Sequence, residues 1–165
     1  MREVDAQLFI VGDGKQRQEL IQLSHLLGIH QNCFFPGFIS KHGDLPGIYR
    51  LASVFVTASE IEVQSSVVLE ASASGLPVVT VQASSMPELV IDGKSGFLIP
   101  PGDIDALAER LVSLVKDPTK AKVMGRSARD NVEAHSNERF VREHEQLYRS
   151  VLRTPDYYLH EKILA

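Results

Sequence analysis

Two runs rich in β-branched residues, Val54-Phe55-Val56-Thr57 and Val78-Val79-Thr80-Val81, bracket a polar loop and a short helical segment. Such residues suit the pleated conformation. Between the runs, Val67 to Ser74 spans about two helical turns, closed by Gly75 and Pro77. Strand, loop, helix, strand is one βαβ unit. That unit commits the chain to an α/β fold with a parallel sheet.

The unit also carries charge where chemistry can use it. Glu62 falls in the loop and Glu70 on the helix. The helix begins near Ser65-Ser66, where unpaired backbone N–H groups and the positive end of the helix dipole form an anion site. A carboxylate on each side of a phosphate-sized socket suits a sugar nucleotide. The N–H groups take phosphate oxygens and the carboxylates accept from sugar hydroxyls.

On either side, strands alternate with helices. Leu8-Phe9-Ile10-Val11, ending in Gly12-Asp13-Gly14, reads as a strand buried on both faces, and Cys33-Phe34-Phe35 as a second short strand. Between them lies a helix from Lys15 with Leu20, Leu23 and Leu27 on one face and Gly28 as its stop. Leu45 to Ala52 reads as a brief helix before Val54. After Val81 come a loop, the segment Pro87 to Ile91, the turn signals Asp92-Gly93 and Ser95-Gly96, and a fifth strand at Phe97-Leu98-Ile99. Ile104, Leu107, Leu111 and Leu114 mark an amphipathic helix that Asp103 caps and Asp117-Pro118 ends. A more polar helix covers about Thr119 to Ala134, and a third runs from Ser136 with Phe140, His144, Leu147 and Val151 along one stripe. Residues from Arg153 onward show no periodicity and are expected to fray. The expectation is a Rossmann-like parallel sheet of about five strands flanked by helices, one domain over residues 1–152 with a tail at 153–165.

Composition narrows the function classes. The chain has 165 residues, 17 basic and 21 acidic side chains and a net charge of −4. A mildly acidic chain without a Lys/Arg cluster argues against nucleic acid as a partner. Cys33 is alone, so no disulfide framework or thiolate metal site is expected, which suits a reducing cytoplasm. No apolar run approaches the roughly 20 residues that span a bilayer.

Glu62 and Glu70 with seven residues between them, followed by Ala71, Ala73, Gly75-Leu76-Pro77-Val78-Val79, resemble the donor-site signature of retaining glycosyltransferases of the GT-B fold, family 4. The likeness extends from about Leu8 to Leu152. Val11-Gly12-Asp13-Gly14, Phe35-Pro36-Gly37-Phe38-Ile39, Leu51 to Ser59, Pro87 to Val90 and Asp92 to Pro100 are each similar to a segment of the family's C-terminal domain. The resemblance implies Glu62 as the catalytic residue, set against the transferred hexose, and Glu70 as the acceptor for ribose hydroxyls. It implies donor contacts from the backbone N–H groups of Ser65, Ser66 and Val67. The base would lie along Gly37, Phe38 and Ile39, and Glu88 would either touch the donor or cap its own segment. The co-substrate would be a nucleotide diphosphate sugar, a UDP-sugar by preference, with no cofactor and no metal.

The family's N-terminal acceptor domain, and a first strand bearing an Arg and a Lys for the pyrophosphate, have no counterpart in this sequence. Catalysis needs both substrates held together, so this stretch alone is expected to be inactive. For the full-length enzyme the resemblance admits a glycan or lipid acceptor and peripheral membrane association. Two departures stand out: serine at 65 and 66 and at 84 and 85, where the family commonly has glycine. The alternatives are a non-catalytic module binding a nucleotide or a protein, and a GT-B epimerase or phosphorylase.

Other motifs fail on their own terms. Gly12-Asp13-Gly14 would need its third dinucleotide-binding glycine at Arg17, and Gly93-Lys94-Ser95 would need a P-loop glycine at Glu88. Asp103-Ile104-Asp105 opens a helix, where capping accounts for it. The six histidines show no ligand spacing.

Overall fold

A computed structural model describes residues 4–40 and 44–153; of the expected tail at 153–165, Arg153 ends a helix and the rest lies outside the described residues. The described residues form five strands, all paired in parallel, as the α/β reading expects. They divide into two sheets. Strand β1 (Leu8–Val11) pairs with β2 (Cys33–Gly37), while β3 (Phe55–Thr57), β4 (Val78–Val81) and β5 (Gly96–Ile99) pair in the order β3-β4-β5. Among the described residues no pairing joins β1 to β3, so each has one open edge.

The helices are α1 (Arg17–Leu26), α2 (Leu45–Leu51), α3 (Ser66–Ala73), α4 (Met86–Leu89), α5 (Ile104–Lys116), α6 (Pro118–Val132) and α7 (Asn137–Arg153). Their ends follow the sequence signals. Asp103 accepts from Ala106 N at 2.9 Å and so caps α5. Asp117 ends that helix and accepts from Lys120 N at 2.9 Å to cap α6, with Pro118 in the first turn, where no N–H is needed. Gly75 closes α3 at φ +79, a left-handed conformation that disfavours a side chain.

Strand β4 is the centre of the packing. Val78, Val79 and Thr80 have no exposure and Val81 has 2%. Alternation along the strand sends Val78 into a cluster with Val68, Ala71, Leu76, Met86, Leu89 and Val90. It sends Val79 the other way, to Phe97, Leu114, Ala121 and Met124. Each fully buried valine contributes about 1.5–3 kcal/mol relative to exposure. Two close approaches fix the layers. A Cβ on Gly96 would lie 2.0 Å from Val78 O, and one on Gly125 would lie 2.0 Å from Gly75 O. Here α6 crosses the end of α3 with backbone nearly on backbone.

The β1-α1-β2 unit corrects one expectation. Strand β1, read as buried on both faces, is open on one of them, with Phe9 45% and Val11 38% exposed, because neither core cluster reaches it. The leucine face of α1 is also partly open, Leu20, Leu23 and Leu27 being 38–46% exposed, while Ser24 is buried and its hydroxyl donates to Ile21 O at 2.6 Å. Arg17 ties this helix to the sheet by donating to Phe35 O at 2.9 Å. On the strands, Phe9 and Phe34 stack with ring centroids 4.9 Å apart, yet both remain substantially exposed.

Candidate functional site

The loop from Ala58 to Ser65 leaves the C-terminal end of β3 and enters α3. Beside it, the 82–85 loop leaves the C-terminal end of the parallel strand β4. In open parallel sheets ligands bind at this end, and the two loops are bonded to each other here. The hydroxyls of Ser84 and Ser85 both donate to Glu62 O, Ser85 at 3.0 Å, and Glu62 N approaches Ser84 Oγ at 3.4 Å. The backbone of Glu62 is thereby pinned by residues 22 and 23 positions away. Ser84 holds this contact from φ 53, a conformation rare for a side-chain-bearing residue. Glu62 itself is half-buried, between Ile61 and Val63, which are 90% and 95% exposed.

Helix α3 presents its first turn without a side-chain cap. Ser65, extended at φ −85 and ψ 95, occupies the cap position, and its side chain accepts from no backbone N–H. Its Oγ is buried and has no hydrogen-bond partner among the described residues. The first N–H groups, those of Ser66, Val67 and Val68, precede the point where helical bonding to the i−4 carbonyl begins. With no capping oxygen supplied by Ser65, they suit an anion. Ser66 and Val67 are exposed, so the socket opens to solvent.

Glu70 lies one turn further along, on the same helix face as Ser66 and about 6 Å from it along the axis. It is half-buried, and Tyr49 on α2 donates to its Oε2 at 3.1 Å. Burial, then the adjacent Glu70 charge and hydrogen bond, push the Tyr49 phenol up to about 12. The hydroxyl is therefore a donor throughout the neutral range.

The remaining candidates fall in two places. Glu88 is exposed in the first turn of α4, directly after the Ser84-Ser85 clamp. Gly37, Phe38 and Ile39 stand at the C-terminal end of β2, in the other sheet, with Phe38 79% exposed. Gly37 O accepts from Gly12 N at 2.9 Å, tying that end to the turn after β1. Sequence reasoning thus placed Glu62, Ser65, Ser66, Val67 and Glu70 on one continuous loop and helix. It missed Tyr49 as a partner of Glu70, for which the sequence holds no local signal. It noted serines 84 and 85 only as departures, without seeing that they grip Glu62.

Fold and site together define a Rossmann-like domain with an uncapped helix end set between two glutamates. The family model for glycosyl transferases group 1 matches residues 1–131, and the chain belongs to that family. It is 33% identical over 152 residues to N-acetyl-alpha-D-glucosaminyl L-malate synthase of Bacillus anthracis, covering 92% of this chain and 39% of that protein. Sulfoquinovosyl transferase SQD2 of Arabidopsis thaliana is 34% identical over 134 residues, covering 79% of this chain and 25% of its own length. Among solved structures, sucrose-phosphate synthase from Thermosynechococcus elongatus superposes with a TM-score of 0.79 at 31% identity, covering 88% of this chain and 38% of that one. Anabaena HepE, determined in complex with UDP, gives 0.76 at 26% identity, covering 90% and 41%. The fold is that of the GT-B glycosyltransferases. This chain spans between 25% and 41% of the length of these proteins. Among the described residues no helix is long and apolar enough to cross a membrane.

Proposed function

We propose that this chain is the donor-binding part of a retaining glycosyltransferase that moves a hexose from a nucleotide diphosphate sugar to a glycan or lipid acceptor. The observation that carries the reading is the uncapped start of α3 between Glu62 and Glu70. In this reading the N–H groups of Ser65, Ser66 and Val67 receive the diphosphate, Glu70 accepts from ribose hydroxyls, and Glu62 faces the hexose. Gly37, Phe38 and Ile39 line the base, and Glu88 reaches the donor's far side. Transfer leaves negative charge on the departing diphosphate, and prearranged N–H donors stabilise that charge more than they stabilise the bound substrate. A UDP-sugar is the donor we favour, supported by the HepE complexes with UDP and UDP-glucose.

The open edges of β1 and β3 are where one further parallel strand would join the two sheets. In this reading such a strand carries the Arg and Lys that the family brings to the pyrophosphate. An acceptor-binding domain completes the enzyme, which we place in the cytoplasm with peripheral access to membranes. Without those parts, this segment is expected to bind donor weakly and to transfer nothing.

Calorimetric titration with UDP, GDP, ADP and their hexose conjugates, with Glu70→Ala as control, tests the reading. The expected result is selective binding of one nucleotide, weakened about tenfold or more by the Glu70 change. If no nucleotide binds even when the joining strand is supplied, the transferase reading falls and a non-catalytic partner-binding module takes its place.

A further inference from the structure

Tyr49 stands outside every motif that the family resemblance rests on, yet it makes a side-chain contact to a candidate ligand-binding carboxylate. Its ring is anchored independently of that contact. It packs tilted on Phe55 of β3, centroids 6.0 Å apart, and both rings lie against the core cluster around Val68 and Val78. Glu70 is anchored too, because its helix is held by the fully buried Val68 and Ala71. The hydroxyl and the helix are each fixed by packing, so the bond between them selects one arrangement of a long, rotamer-rich side chain.

We propose that Tyr49 is a positioning residue: by donating to Glu70 Oε2 it holds the carboxylate in the orientation that receives a ribose diol, and so sets the preference for ribonucleotides over 2′-deoxyribonucleotides. The inference rests on the donor-binding reading of Glu70 given above. Its chemistry is that of a phenol donating to a carboxylate, at 3.1 Å, inside a partly buried site. A phenol keeps its proton at neutral pH, and burial beside Glu70 pushes this one further up, to about 12. A carboxylate already held in place loses little further freedom when a diol arrives, which is preorganisation in the usual sense. A carboxylate that swings reaches a single hydroxyl nearly as well as a pair, and discrimination drops.

The test is the ratio of dissociation constants for 2′-deoxy-UDP and UDP, measured by titration of the wild-type protein, Tyr49→Phe and Glu70→Ala. Phenylalanine keeps the ring on Phe55, and unchanged melting temperatures verify that packing is kept. The wild type is expected to favour UDP about tenfold, Glu70→Ala to bring the ratio near one, and Tyr49→Phe to lower it about threefold to fivefold through weaker UDP binding. A Tyr49→Phe protein with the wild-type ratio, beside a Glu70→Ala protein that has lost it, overturns the Tyr49 role and leaves the donor reading standing. Equal losses for both nucleotides in Tyr49→Phe assign it to packing and also overturn the role. If the wild type binds neither nucleotide even with the joining strand supplied, or shows a ratio indifferent to Glu70→Ala, the ribose role of Glu70 falls and the Tyr49 role falls with it.

Discussion

Glycine at 96 and serine at 84 show how much of this molecule is decided atom by atom. At Gly96, β5 lies so close to β4 that an added methyl would overlap the Val78 carbonyl oxygen. Gly96→Ala is expected to lower stability by at least about 3 kcal/mol in urea denaturation, because the strands must part to admit it. Gly14→Ala is the contrast, with nothing within 4 Å of the new Cβ, and should stay within about 0.5 kcal/mol. At Ser84 two effects oppose each other. Glycine there relieves left-handed strain of about 1–2 kcal/mol but removes a hydroxyl that holds Glu62. Ser84→Gly is therefore expected to melt within a few degrees of wild type while losing affinity for UDP-glucose and keeping it for UDP. Equal affinities for UDP-glucose in the two proteins would show that the grip on Glu62 does not matter to the sugar. Tyr49 adds a pH signature. Its phenol, 10.0 in the ordinary state and about 12 when folded, keeps its proton to higher pH in the native protein. The stabilisation is complete below pH 10 and is lost as pH rises toward 12. Melting temperature should fall more steeply across that window in wild type than in Tyr49→Phe.

Elements were largely legible because their punctuation is local. The Asp103 cap, the Asp117-Pro118 break and the Gly75 stop act within a turn of their own position, and each is found where the sequence places it. Asp103→Ala and Asp117→Ala are each expected to cost about 1 kcal/mol, a fall of about 2–4 °C in thermal denaturation followed by circular dichroism. Their effects should add, since the two caps share no partner. Helix α1 is found where the sequence places it, but strand β1, read as buried on both faces, is open on one. Periodicity reports that Leu20, Leu23 and Leu27 share a stripe; it does not report which neighbour, if any, lies against it. In the described residues the stripe is partly open, while Ser24 is buried.

At the scale of the whole molecule, burial is uneven. The fully packed hydrophobic residues run from Val68 to Ala128, and none falls in the β1-α1-β2 unit. Local opening follows the density of buried contacts. Amide hydrogen exchange should therefore be slowest in β4 and its flanking helices and markedly faster in β1 and β2; the reverse order would contradict this account of the core. The sequence alone determined the strands, the helix stops and the run of candidates from Glu62 to Glu70, because propensity, capping and periodicity are properties of neighbours along the chain. Only the tertiary structure decided that five parallel strands form two sheets with open edges, that Tyr49 reaches Glu70 across 21 residues, and that Ser84 and Ser85 grip Glu62. Those contacts join segments that no local preference connects, and folding alone brings them together.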